Sequence, residues 1–297
     1  MPVIVLEAGA FTSPLFLVRT WEVLSGCTTF SLVASLKQSN NNSSDHHRHP
    51  DTLRIFCMSS WCFFFTLTLL IHALSVLQVH NLVPVSWKNL TVTAAVSGAL
   101  MSLSAAAVFP CVVVADRQRV TPRLVAAIVA SCLTFLAYAS ESYVLRAQAS
   151  ELRGYMGSMP GLLKVVPVWG GCTLLPLVVE QLCGPQAPAH DAQLLVYGVM
   201  YGVCFLMSLV TLVVILGDFA GRCFLPFDKL LVGFSLIGVL LYALPTVICF
   251  IKVLGHSLHP ELLILEAVVS SLTLLAYTVD LALSIKLMCC RSSMCCL

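Results

Sequence analysis

Residues 136–141 read LAYASE and residues 275–280 read LAYTVD, so the same Leu-Ala-Tyr is twice followed by an acid, Glu141 and then Asp280. Both acids lie inside long apolar runs where lipid is expected. Two bases, Arg19 and Lys164, occupy comparable runs. Ionisable side chains in such a setting do one of two kinds of chemistry: they carry protons or substrate across the bilayer, or they pair and tie helices together. Arg19 lies five residues past Pro14, and Glu141 lies five before Arg146. At 1.5 Å rise per residue both then sit roughly 7 Å in from the same face. Lys164, four residues past Pro160, and Asp280, six before Lys286, repeat the layout. It predicts Arg19–Glu141 and Lys164–Asp280 contacts, structural ion pairs that join the first and last of four helices. Two alternatives stand beside these pairs. Arg19 has Glu22 one turn away on its own helix, and both bases can snorkel to lipid phosphates.

The elements that must hold these residues follow from composition. The chain has 297 residues, 59% hydrophobic and only 10% charged, with a mean hydropathy of +0.94. A soluble domain averages about 25% charged residues. Eight apolar runs of bilayer-spanning length are read at roughly 14–36, 55–79, 89–114, 122–145, 160–182, 192–217, 228–252 and 261–288. The longest polar connector is 37–54, which leaves no room for a separate catalytic domain. The fold class is therefore all-α: a polytopic membrane protein with eight transmembrane helices. Ser13-Pro14 and Ser158-Met159-Pro160 mark two helix starts, because proline suits a first turn whose N–H groups have no partner anyway. No cleavable leader is read, since the first run carries Arg19 and Glu22 and lacks a basic n-region with a short apolar core.

The runs repeat. Tyr138 and Tyr277 are 139 residues apart; SWKNL (86–90) and PFDKL (226–230) are 140 apart, as are Gly98 and Gly238 downstream of them. RTWEVLSGCT (19–28) and KVVPVWGGCT (164–173) are 145 apart and share a basic residue followed by Gly-Cys-Thr. WCFFF (61–65) resembles VCFLM (203–207). Four helices are followed by four related ones. An even number per copy keeps both in one orientation, which makes the repeat parallel. Two units are expected, 1–150 and 151–297, each a four-helix bundle, the second with a short cysteine-rich tail.

The stretches CTTFSLVA (27–34), FCMSSWCFFF (56–65), VSWKN (85–89), GYMGSMPGLLKVV (154–166), PFDKL (226–230) and LLAYTVDL (274–281) resemble the myeloid-associated differentiation marker family. The resemblance runs from about residue 14 to residue 288. It implies two tandem MARVEL domains, each a four-helix membrane unit. It also implies a non-enzymatic role in organising membranes: ordered lipid domains, trafficking and cell-contact regions. Pro167 and Pro176 in the fifth span, the short connector GHSLHPE (255–261) and the tail MCCRSSMCCL depart from the family's usual pattern. The two prolines predict a kink unless neighbours satisfy the freed carbonyls.

With the first residue in the cytosol, nine Lys and Arg fall on the cytosolic side and seven outside, a bias that favours both termini being cytosolic. Overlapping sequons at Asn41 and Asn42 then face outward as candidate N-glycosylation sites. Asn89-Leu90-Thr91 also fits the pattern but would face the cytosol unmodified. Cys289, Cys290, Cys295 and Cys296 follow the last span on the cytosolic side and are candidates for S-palmitoylation. The remaining cysteines lie mostly in apolar spans without paired spacing, so no disulfide framework or zinc site is read. HHRH (46–49) offers imidazoles but no second ligand set, and is read as a polar loop. His72 is read as a helix–helix hydrogen-bond partner, and the small residues of AAVSGALMSLSAAAV (94–108) as packing surface.

No catalytic motif is found, and no cofactor, metal or nucleic acid is expected. The expected partners are membrane lipids, with protein partners at the cytosolic face. Two functions compete. One is a membrane-organising scaffold without turnover. The other is a small-solute or proton-coupled transporter or channel that uses the intramembrane acids. Transport sites tend to lie near the midplane on broken helices, whereas the main charges here sit near the cytosolic ends of their spans. Glu180, near the outer end of the fifth span and with no partner evident in the sequence, is the residue that most favours transport.

Overall fold

A computed structural model describes residues 13–40, 52–78, 86–115, 121–147, 155–183, 192–217, 227–255 and 260–294. These are almost wholly helical: α1 (Pro14–Asn40), α2 (Thr52–Val76), α3 (Trp87–Ala115), α4 (Pro122–Ala147), α5 (Met159–Cys183), α6 (Ala192–Leu216), α7 (Phe227–Leu254) and α8 (Pro260–Met294), with a 3-10 turn at Tyr155–Gly157. An apolar chain in lipid must satisfy its backbone internally, and the helix does this within one segment. Serine marks two of the starts as expected. Ser13 Oγ accepts the Phe16 N–H at 3.2 Å, and Ser158 Oγ accepts the Gly161 N–H at 3.4 Å. Thr121, ahead of Pro122, does the same for Leu124 at 3.3 Å. Pro167 and Pro176 both lie inside α5, which is continuous from Met159 to Cys183.

Seven of the eight helices are long and apolar enough to cross a membrane. The exception is α1, and its reason is visible in its packing. Arg19, Glu22, Ser25 and Thr29 are all buried, while Leu17, Trp21 and Leu24 are exposed. The helix turns its polar face inward and its apolar face outward, so its average polarity rises although its outer surface stays apolar.

The chain separates into two compact units, Met1–Gly157 and Ser158–Leu297. In the first, α1 packs on α2 and α4, and α3 packs on the same two helices. In the second, α5 packs on α6 and α8, and α7 on the same two. The 3-10 turn belongs to the first unit because it folds back on α3: the Met156 N–H donates to Asn89 Oδ1 at 3.1 Å, and the Met156 side chain is fully buried. Trp61 meets Phe109 edge-on in the first unit, at 5.6 Å between ring centroids. In the second, Tyr242 lies between Tyr201 and Tyr277, at 5.1 and 5.5 Å. The small residues of α3 are largely interior: Ala95, Ser102, Ser104 and Ala105 are buried, and the Cys57 thiol approaches the Ala105 carbonyl at 3.8 Å.

Candidate functional site

In the first unit, Arg19 Nε donates to Glu141 Oε1 at 2.6 Å, with both side chains almost fully buried. The contact joins α1 to α4. Glu22, one turn along α1, is also fully buried but accepts no hydrogen bond from any described residue. One turn before Glu141, the Tyr138 hydroxyl meets Thr68 Oγ1 of α2 at 2.8 Å. The Tyr138 ring packs so close to α3 that a Cβ at Gly98 would come within 2.7 Å of its Cδ1. Deeper along the helices, the hydroxyls of Thr29 and Thr134 meet at 3.0 Å, joining α1 to α4 again. His72 reaches α1 from α2: its Nε2 is 3.5 Å from Thr20 Oγ1, and its ring rests against Phe16 at 4.8 Å.

The second unit builds the same arrangement from different side chains. Lys164 Nζ of α5 and Ser235 Oγ of α7 both donate to Asp280 Oδ2 of α8. The Tyr277 hydroxyl meets Ser208 of α6 at 2.6 Å, and Gly238 leaves room for the Tyr277 ring. A small cleft beside Asp280 is lined by Lys164, Pro167, Ser208, Ser235 and Tyr277. Thr68 and Ser208 are 140 residues apart, like Gly98 and Gly238. Gly26 packs on Phe65, and Gly171 on Phe205. The packing therefore aligns residues 61–65 with 201–205, two residues from the alignment suggested by WCFFF and VCFLM. Similar letters match aromatics with aliphatics; helix faces match Trp61 with the buried Tyr201.

At the other end of the second unit, Gln181 Nε2 donates to Glu266 at 2.8 Å, and the Lys252 ammonium lies 5.9 Å over the Tyr197 ring. Glu180 is half-buried there and is not without an interaction, so the absence of a partner in the sequence does not carry over to the fold. Asn41, Asn42, the HHRH cluster, Cys295 and Cys296 lie outside the described residues; Cys289 and Cys290 fall on the last turns of α8.

Comparison with known proteins gives a consistent answer. The chain is 32% identical to a myeloid-associated differentiation marker homolog of Xenopus laevis over 308 residues, covering 96% of each. It is 36% identical to the mouse myeloid-associated differentiation marker over 241 residues, 80% of this chain and 70% of the relative. The chain belongs to the myeloid-associated differentiation marker family. The human myeloid-associated differentiation marker-like protein 2 is 30% identical over 314 residues, covering 94% of this chain and 93% of its own. No family model matches, and no solved structure matches significantly. These relatives carry the names of markers and not of enzymes. The chain is thus a multi-pass helical membrane protein of this family.

Nothing in the sequence marks Ser235, Thr68, Ser208 or Glu266. A hydroxyl every few residues is common in these helices, and most bond their own backbone four residues back, as Thr173, Thr246 and Thr278 do. Only the docking of helices selects the few that bond across.

Proposed function

We propose that this member of the family organises membrane domains without catalysing a reaction. Its eight helices all span the bilayer, as two tandem four-helix MARVEL-like bundles with both termini in the cytosol. The observation that carries the reading is that the base on the first helix of each unit is taken up by an acid on the last. Arg19 is held by Glu141 and Lys164 by Asp280, while the outward faces are apolar side chains such as Leu17, Phe63, Leu206 and Leu240. A transporter would need such groups free to exchange with substrate. Here they join the first and last helices of each unit and leave lipid as the natural contact. Under this topology Asn41 and Asn42 are glycosylation sites on the outer side, and Cys289, Cys290, Cys295 and Cys296 are cytosolic palmitoylation sites whose acyl chains favour ordered lipid. Protein partners would bind at the cytosolic face. Extraction in a native-membrane polymer tests the role: lipids of the ordered phase and a defined protein set should co-purify with the chain. Bulk lipid composition with no recurrent protein, or proteoliposome flux that depends on Glu141 or Glu180, would refute it.

A further inference from the structure

The two units are charged differently. The offset of 145 that aligns Arg19 with Lys164 aligns Glu22 with Pro167, and the offset of 140 that aligns Gly98 with Gly238 aligns Ala95 with Ser235. The second unit therefore sets one base against one acid and adds a neutral donor, Ser235, to Asp280. The first sets one base against two acids, Glu141 and Glu22, and has only a methyl where the serine stands. Glu22 is 0% exposed. Glu22 lies one helical turn from Arg19, which is itself bonded to Glu141 at 2.6 Å, so both the Arg19 guanidinium and the Glu141 carboxyl are close enough to act on it electrostatically. Yet neither Glu22 oxygen has a hydrogen-bond donor among the described residues. Two ionised carboxylates are acceptors only and cannot bond to each other. Two like charges so close, inside a membrane helix bundle, cannot both be carried.

We infer that the first unit is a proton-binding site, in which Glu22 carries a proton beside the Arg19–Glu141 ion pair. The proton supplies the missing donor: a neutral Glu22 carboxyl O–H donates to the ionised Glu141, which also accepts from Arg19. The cluster then carries one positive and one negative charge, as the second unit does. The other titratable groups facing it are the Tyr138 hydroxyl on α4, bonded to Thr68, and His72 on α2, which lies within electrostatic reach of Arg19. A metal ion fits the vacant charge less well, since hard cations take about six or more oxygen ligands and two carboxyl groups, one already held by Arg19, do not provide them. This inference is independent of the proposed membrane-organising role.

Infrared spectroscopy of the full chain in proteoliposomes at neutral pH tests it. Wild type should show the C=O stretch of a protonated carboxyl that shifts in deuterated water. Difference spectra should show the band lost in Glu22→Gln. It should also be lost in Glu141→Gln, because the remaining Glu22 then ionises to pair with Arg19. Both single variants should keep their folded yield, since in Glu22→Gln an amide replaces a neutral carboxyl and in Glu141→Gln the ionised Glu22 takes over Arg19, whereas Glu22→Gln combined with Glu141→Gln should lose most of it by leaving Arg19 unpaired. A wild-type spectrum without such a band, or a band that survives Glu22→Gln, overturns the inference. So does failure of both single variants to fold, because the site requires only one negative charge.

Discussion

The Lys164–Asp280 pair offers the sharpest test of how this chain tolerates charge in lipid. Asp280 accepts from both Lys164 and Ser235, and both charged side chains are more than nine-tenths buried. Proline, not an acid, stands at position 167, so the second unit has no counterpart of Glu22 to take over from Asp280. Asp280→Asn should therefore leave a buried ammonium, at a cost of about 3–5 kcal/mol. Lys164→Met should leave a buried carboxylate with only the Ser235 hydroxyl, at a cost of similar size. The double variant buries no charge, and the amide introduced in place of the Asp280 carboxylate can still accept from Ser235. Its cost should be about 1 kcal/mol, the value of one ordinary hydrogen bond. The two single losses thus exceed the double loss by several kcal/mol, the non-additivity expected of contacting residues. Unfolding midpoints of the four proteins, measured in mild detergent with graded denaturant, give the cycle. Additive losses, with the double variant the least stable of the four, would refute the argument that pairing is what makes these charges tolerable.

Glycine at 238 tests the close approach of α7 to α8. A Cβ there would come within 2.5 Å of the Tyr277 ring, whereas one at Gly233 meets nothing within 4 Å. Gly238→Ala should destabilise by about 1–2 kcal/mol after the gain in helix propensity is offset, while Gly233→Ala should not destabilise; thermal melting in detergent compares them. Changing Cys289, Cys290, Cys295 and Cys296 together to serine should abolish hydroxylamine-sensitive acyl labelling, and label that persists would place the modification elsewhere.

How far the sequence reaches is clearest along each helix axis. The helix rise is constant, so counting from Pro14 or Arg146 puts Arg19 and Glu141 at one depth, and counting from Pro160 or Lys286 does the same for Lys164 and Asp280. Run length and sparse charge identify the helices, because lipid requires about twenty apolar residues to cross it. The repeat was legible too, since Gly98 and Gly238, or Tyr138 and Tyr277, keep nearly constant spacing. What the sequence alone left open was direction around each axis. Lipid-facing and interior faces are both apolar here, so periodicity does not mark which side of a helix meets a neighbour. Tertiary structure decided that Arg19 donates to Glu141 on another helix, with Glu22 of its own helix left beside them. It decided that Ser235 is the third member of the Asp280 cluster and that Thr68 and Ser208 are the hydroxyls that cap the two tyrosines. It also set the register of residues 61–65 against 201–205, because glycines at 26 and 171 admit Phe65 and Phe205 at equivalent places. Depth is a property of one helix and can be counted from its residues; facing is a property of two helices and exists only once they are packed.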